Sequence, residues 1–201
     1  HTRSFHVTGV QTCALPIWAR IIRDRLLKTD QVTADDMLAI QLDTSATFLE
    51  RWRQLMLDTL DDAAVRGHPD RQAFRDVVAN GWNGQADPAS AAYRLTRQFR
   101  DLVSERVFSF VLADCYEADP TFDYSIIRRR EGPLWALVTS RPTHLLDPAF
   151  ATWEDLLRDV VDTLAAQLRG EGRDLRTRTW AELNITAYRH PLRSEEHTSE
   201  L

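Results

Sequence analysis

The sequence TADDMLAIQLDTSATFLERWRQLMLDTL, residues 33–60, decides the fold class of this chain. Thr33 followed by two aspartates has the form of a helix N-cap with acidic residues in the first turn, where the helix dipole favours them. We predict one long amphipathic helix that continues to about Val65 and ends at Gly67 to Pro69. Its apolar side chains recur at three- and four-residue steps, the spacing of one helix face: Met37, Ile40, Phe48, Trp52, Leu55, Met56 and Leu60.

The same periodicity predicts further helices on both sides of this stretch, so the expected fold class is mainly α. One precedes it, in ARIIRDRLLKTD (residues 19–30). Residues 180–192 look irregular or strand-like, and no period of 20–50 residues repeats, which argues against a solenoid. The remaining predicted helices cover residues 71–79, a stretch from Pro88 or Ala89 to about Val111, a short piece over 121–130, an apolar piece at 134–137, and residues 153–168.

The two ends of the chain look like translated sequencing adapter. VTGVQTCALPI (residues 7–17) and RSEEHTSEL (residues 193–201) can be encoded on opposite strands of one DNA sequence without a mismatch, and that DNA resembles a short-read adapter. Such tails are excluded before fold reasoning. We expect residues 1–17 and 193–201 to be non-native, and residues 18–192 to be an internal piece of a longer gene.

Composition excludes several classes of partner. The chain carries 25 Lys and Arg against 30 Asp and Glu, evenly mixed, so no basic face for nucleic acid is expected. No apolar run approaches the roughly 20 residues that cross a bilayer, so no membrane partner is expected either. Cys115 is the one cysteine outside the tails, which leaves no disulfide within residues 18–192. We expect its thiol to be buried and inert.

Patterns that carry chemistry are scarce. His68, His144 and His190 stand far apart, without the short spacings of zinc sites, so no metal site is expected. There is no glycine-rich phosphate loop and no Gly-x-Ser-x-Gly elbow. Residue patterns alone therefore favour a helical domain without a catalytic centre of its own. A stand-alone binding or scaffold module is the alternative to any enzymatic interpretation.

Several short motifs, in a fixed order, resemble the penicillin acylase (penicillin amidase) family. Each is weak alone, but their order across nearly all of residues 18–192 is specific. In two places the sequence departs from the family pattern: Asn83 stands where the family has Asp, and Ala181 stands where it has Gly. The motifs are residues 19–27, 33–43, 81–84 (Gly-Trp-Asn-Gly), 153–157 (Trp-Glu-Asp-Leu-Leu), 179–184 (Thr-Trp-Ala-Glu-Leu-Asn) and 190–192 (His-Pro-Leu).

The resemblance implies an N-terminal nucleophile hydrolase with a four-layer αββα parent fold, cut from one precursor into an α and a β chain. The freed N-terminal Ser would attack the amide carbonyl, with its own α-amino group, of reference pKa near 8, as the base. Acylated amides, such as β-lactams or acyl-homoserine lactones, would be the substrates. This chain matches the helical part of the β chain. The nucleophile, the oxyanion Asn and the calcium-binding acids would lie upstream, and the location would be periplasmic or secreted.

The resemblance also suggests roles for six residues. Arg20 or Arg23 would occupy the position of a family arginine close to the active site, the alternative being a surface arginine. Gln41 and Asp43 match a Gln-x-Asp step, and we expect both to be buried polar struts between helices. The structural polar residues expected from the later motifs are Asn184 and His190. We expect the chain alone to be inactive, with an apolar face shaped for missing parts of the parent.

Overall fold

The computed structural model describes residues 17–124, 130–170 and 172–183. Within these ranges the chain is helical and contains no β-strand beyond a single bridge between Ser45 and Gln85, which confirms the mainly α prediction. The α-helices are α1 (Ile17–Leu26), α2 (Ala34–Gln41), α3 (Glu50–Thr59), α4 (Asp62–Val65), α5 (Pro69–Gly81), α6 (Ala91–Val111), α7 (Ala113–Ala118), α8 (Glu131–Ser140), α9 (Trp153–Arg169) and α10 (Trp180–Leu183). Short 3-10 turns cover Thr47–Leu49, Thr143–Leu145 and Leu175–Thr177.

Helix α6 is the centre of the core. Helices α3, α5 and α9 pack around it, and α5 and α9 also pack against each other. Each helix contributes one apolar face, because its large side chains recur with the helical period. The Trp52 and Phe99 rings meet edge-on, with centroids 6.5 Å apart. Fully or almost fully buried side chains include Trp52 and Met56 from α3, Phe74 and Val78 from α5, Leu95, Phe99 and Val103 from α6, and Leu157 and Val160 from α9.

The prediction of one long helix over residues 33–65 is wrong. The chain leaves the helix after Gln41 and forms the antiparallel bridge to the turn at residues 82–87. There the Ala46 N–H donates to the Gly84 carbonyl at 2.8 Å, and the Ala86 N–H donates to the Thr44 carbonyl at 2.7 Å. Because the backbone groups of residues 44 and 46 form hydrogen bonds with a distant segment, the chain does not need a helix here to satisfy them. The three- and four-residue spacing of apolar side chains therefore continues through a stretch that is not helical. A second break, at residues 60–61, separates α3 from α4.

The predicted helix ends were largely right. Thr33 caps α2, and its hydroxyl accepts the Asp36 N–H at 3.2 Å while the Asp36 carboxylate accepts the Thr33 N–H at 2.9 Å. Gly67 has a φ of 78°, which glycine adopts without strain, and Pro69 is the first residue of α5. Helix α6 begins at Ala91 rather than at Pro88 or Ala89.

Three other expectations need correction. Cys115 is exposed rather than buried, because α7 buries none of its residues. Trp180–Leu183 is a short helix rather than irregular chain, while residues 184–192 lie outside the described residues. The short helix expected over 121–130 is not formed at 121–123, and residues 125–129 lie outside the described ranges.

We expect Leu157→Ala to lower the free energy of unfolding by about 2–5 kcal/mol, because Leu157 is fully buried and its removal leaves a cavity beside α6. The matched control is Leu183→Ala at an exposed position, where a change within about 0.5 kcal/mol is expected. Urea unfolding followed by circular dichroism measures both. Equal effects in the two variants would contradict the described core.

Candidate functional site

Helix α1 carries the arginines that the sequence places near an active site. Its backbone is helical at Arg20, whose side chain lies outside the described residues. The Arg23 guanidinium is half-exposed and donates to the adjacent Asp24 carboxylate at 2.9 and 2.6 Å. This placement fits a surface arginine and an arginine beside an upstream active site equally well.

Asp43 ties α1 to the segment that follows α2. Its carboxylate is only 4% exposed, lies 2.6 Å from the Arg25 guanidinium and accepts the Ser45 N–H at 2.8 Å. Hydrogen bonding by Ser45, helped by Arg25 and opposed by burial, holds the pKa of the Asp43 carboxyl below its usual value. A lowered pKa means that this contribution to stability is complete above about pH 4 and is lost as the pH falls further.

The two predicted polar struts therefore differ. The Asp43 side chain is buried and links α1 to residues 42–46, the bridge segment. Gln41 is exposed, so its expected burial is wrong: the buried side chain of α2 is its neighbour Ile40. Sequence reasoning missed Arg25, because its partner lies 18 residues away and no helical spacing connects the two.

The Gly-Trp-Asn-Gly motif forms the turn against which the bridge segment lies. The Trp82 indole N–H donates to the Glu50 carboxylate at 2.6 Å and so fixes the turn to α3. The Asn83 side-chain oxygen accepts the Gln85 N–H at 3.0 Å, and Gly84 has a φ of 73°. Asn and Asp both close such turns through a side-chain oxygen, which is the role of Asn83 here.

The carboxylate of Glu131, at the start of α8, accepts hydrogen bonds from side chains of two other helices. One oxygen accepts the Arg51 guanidinium at 2.6 Å and the Trp52 indole N–H at 2.7 Å. The other accepts two bonds from Arg100, at 3.0 and 2.6 Å. The Arg51 guanidinium also stacks over the Trp135 ring, 4.5 Å from its centroid. This cluster was not predicted, because its members lie 31 to 80 residues apart.

An open cleft of about 440 Å³ lies beside this cluster, on the outer side of α6. Arg97, Ser104, Tyr116 and Tyr124 are among the side chains that line it. Burial raises the pKa of the Tyr124 hydroxyl, so the group stays a neutral hydrogen-bond donor at neutral pH. The lining contains three basic side chains, Arg97, Arg100 and Arg130, and three acidic ones, Asp101, Glu105 and Asp123, so neither sign of charge dominates it.

The described residues contain no paired nucleophile and base. The threonine hydroxyls that donate to a carboxylate are those of Thr33, Thr121 and Thr152, each within a helix cap or a turn. His68 and His144 are exposed, and neither makes a side-chain hydrogen bond within the described ranges. Asn184 and His190 lie outside those ranges.

In the described part of the chain no group of three His, Cys, Asp or Glu residues could hold a metal ion. Among the same residues, no helix is both long and apolar enough to cross a bilayer. The polar groups that the fold brings together among the described residues link helices and turns to one another.

Comparison with known proteins gives the family. The penicillin amidase family model matches residues 11–200. This chain belongs to the penicillin amidase family. No curated protein matched, and no solved structure matched. The match contains every described residue and runs into both segments that we expect to be adapter, so their origin stays a prediction.

We expect Asp43→Asn to loosen the attachment of α1 in this penicillin amidase family chain, because the neutral amide no longer forms an ion pair with Arg25. Lys28, just after α1, is the single lysine of the sequence, so a lysine-specific protease reports on this segment through one cut. The variant should be cleaved several-fold faster at pH 7. The exposed Asp35→Asn control should be cleaved like the parent sequence; faster cleavage of both would contradict a role for the ion pair.

We expect Glu131→Gln to lower the free energy of unfolding by about 1–3 kcal/mol, since charge-assisted hydrogen bonds to three side chains are weakened at once. Glu117→Gln, at an exposed position on α7, is the matched control and should have little effect. Urea unfolding midpoints compare the two. A Glu131→Gln protein as stable as the control would show that the cluster contributes nothing to stability.

Proposed function

We propose that this chain is the helical part of the β chain of a penicillin amidase-type amidohydrolase, which cleaves a linear, non-peptide amide through an N-terminal Ser outside this chain. One observation carries the proposal: the family match extends over residues 11–200. The absence of a paired nucleophile and base from the described residues is consistent with it. The chemistry of the parent would then be supplied by residues that precede α1.

The proposed reaction is acyl transfer to that serine. The Ser oxygen forms a bond to the amide carbonyl carbon, its proton passes to the α-amino group, and the carbonyl electrons move to an oxyanion held by hydrogen-bond donors. Collapse breaks the C–N bond, and the amine leaves with the proton. Water then attacks the acyl-enzyme, releases the acid and restores the serine. The substrate is an acylated amide, and its class beyond that is left to experiment.

In this proposal the chain supports and encloses the active site and does not supply the nucleophile. Its helices lie against the catalytic layers and help to enclose the acyl group, and Arg20 or Arg23 takes the position of the family arginine close to the active site. The α chain of the same precursor is the proposed macromolecular partner. Any calcium ion of the parent would be held by upstream acids, and the proposed location is periplasmic or secreted.

A stand-alone helical binding module is the second candidate, and one observation favours it. Within the described ranges, helices α3, α5, α6 and α9 form a continuous core of buried side chains. A self-contained core is what an independent module requires. Such a protein would be a compact monomer that hydrolyses no amide in any context.

The test begins with the source DNA, read through both ends of residues 18–192. We expect an open reading frame that continues upstream to a Ser at the start of a β chain, with the adapter codons absent. The complete protein should hydrolyse a chromogenic N-acyl anilide, and the 201-residue chain should not. Ala in place of the N-terminal Ser is the matched control and should abolish turnover. A genomic frame of 201 residues, or a complete protein without amidase activity, would leave the binding module as the function.

A further inference from the structure

Ser104, in the middle of α6, is a buried polar residue that the fold leaves without a hydrogen bond. It is 5% exposed, and its hydroxyl has no partner within the described ranges. Thr96, on the same helix, turns its hydroxyl back to the Ala92 carbonyl at 2.8 Å, whereas Ser104 makes no such bond. The side chains of Thr59, Ser90 and Arg94, which are also buried, are all hydrogen-bonded. A buried hydroxyl without a partner costs free energy, so Ser104 requires an explanation.

Ser104 lines the cleft of about 440 Å³ on the outer side of α6, and this volume is within the range of about 300–1,000 Å³ that is typical of ligand pockets. Phe108, one turn further along α6, forms an apolar wall with the Tyr124 ring, and the two ring centroids are 4.4 Å apart. Tyr116 also lines the cleft, and neither tyrosine hydroxyl forms a hydrogen bond within the described ranges. The cleft therefore combines aromatic walls with hydroxyl groups that are available to a ligand.

Two charged side chains of the cleft, Arg130 and Glu105, have opposite signs and form no ion pair within the described ranges. By contrast, the Arg100 guanidinium is already paired with the Asp101 carboxylate at 2.6 Å. Burial raises the pKa of the Tyr124 hydroxyl and the Arg130 guanidinium opposes that rise, which places the guanidinium near this hydroxyl. The cleft thus offers a ligand one cation and one anion that the fold has not neutralised.

We propose that this cleft is a binding site for a free α-amino acid with an aromatic side chain. The ligand's carboxylate pairs with Arg130, its ammonium group pairs with Glu105, and its ring packs against the aromatic wall, where offset or edge-on contacts are favourable. The Ser104 hydroxyl gains its missing hydrogen bond from the polar end of the ligand. A ligand with a single charge leaves one of the two protein charges unpaired, which gives the site its specificity.

This inference is independent of the proposed function. The residues that line the cleft lie between 97 and 130, outside every motif that carries the family resemblance. No bond is made or broken in the cleft, since Ser104 has no base beside it among the described residues. Binding can therefore be measured on the 201-residue chain itself.

The experiment is an NMR titration of the isotopically labelled chain with L-phenylalanine at neutral pH. We expect a dissociation constant in roughly the millimolar range, because a ligand of this size forms few contacts, with amide shifts concentrated between residues 97 and 130. Two further probes each lack one charge: 3-phenylpropanoate has no ammonium group, and 2-phenylethylamine has no carboxylate. Each should bind about tenfold more weakly than L-phenylalanine, since one charge-assisted contact is lost.

Four variants locate the ligand. Ser104→Ala removes a hydroxyl that has no partner in the fold, so its unfolding midpoint should match that of the parent sequence while L-phenylalanine binds about three- to tenfold more weakly. Arg130→Gln should lose the preference for L-phenylalanine over 2-phenylethylamine, and Glu105→Gln should lose the preference over 3-phenylpropanoate. Arg106→Gln, on α6 but outside the lining of the cleft, is the matched control and should bind like the parent sequence.

Each outcome either supports or overturns the site. Selective binding of L-phenylalanine that Ser104→Ala and Arg130→Gln weaken, and that Arg106→Gln leaves unchanged, supports it. Binding that neither cleft variant changes places the ligand elsewhere and overturns it. Equal affinity for the three probes overturns recognition of the paired charges, and the absence of amide shifts with L-phenylalanine in excess overturns the proposal as a whole.

Discussion

The structure depends on the burial of one face of helix α6. Its side chains at Leu95, Phe99 and Val103 are fully buried, and three other helices exist as ordered elements because they cover this face. Isolated helices of ten to seventeen residues are marginal in water, so α3, α5 and α9 derive most of their stability from this contact. The polar contacts form between helices whose positions are set by the burial of this face.

Polar side chains add specific links between elements at the edge of the apolar core. Glu131 anchors the start of α8 to α3 and α6. Near the N-terminus of α6, the Arg94 guanidinium, which is almost completely buried, donates to Glu182 at 2.6 Å and to the Thr179 carbonyl at 3.2 Å. The short α10 therefore packs beside the N-terminus of α6 although it buries none of its own residues. Buried charges that are this well paired specify geometry more than they add stability.

Periodicity in the sequence predicted α1, α5, α6 and α9, because each of these helices has one apolar face and the spacing of its apolar residues indicates that face. It failed where a distant segment changes the local structure. At residues 42–46 the pairing with the turn at 82–87 ends the helix, and the start of α6 moves to Ala91 because Pro88 and Ser90 accept hydrogen bonds from α10. The apolar residues that precede Cys115 predict burial of its thiol, yet α7 buries none of its residues and Cys115 is exposed.

In the candidate site, too, residues within local patterns could be identified from the sequence, whereas their distant partners could not. The family motifs identified the turn at residues 81–84 and the strut Asp43, because each is a local pattern. The partners of these residues, Arg25 for Asp43 and Glu50 for Trp82, follow only from the fold. Glu131 has no local signature at all: a Glu in the first turn of a helix is ordinary, and nothing in the sequence near it indicates Arg51 or Arg100.

The hydrogen bonds that the Glu131 and Asp43 carboxylates already accept bear on whether these groups can act in catalysis. A general acid or base needs an oxygen that can exchange a proton with substrate, usually with a pKa moved towards neutrality. Glu131 uses both oxygens in four hydrogen bonds, and the pKa of the Asp43 carboxyl is moved downwards, away from neutrality. Both groups are therefore committed to holding helices together. In this member of the penicillin amidase family, the two carboxylates hold α8 against α3 and α6, and α1 against residues 42–46.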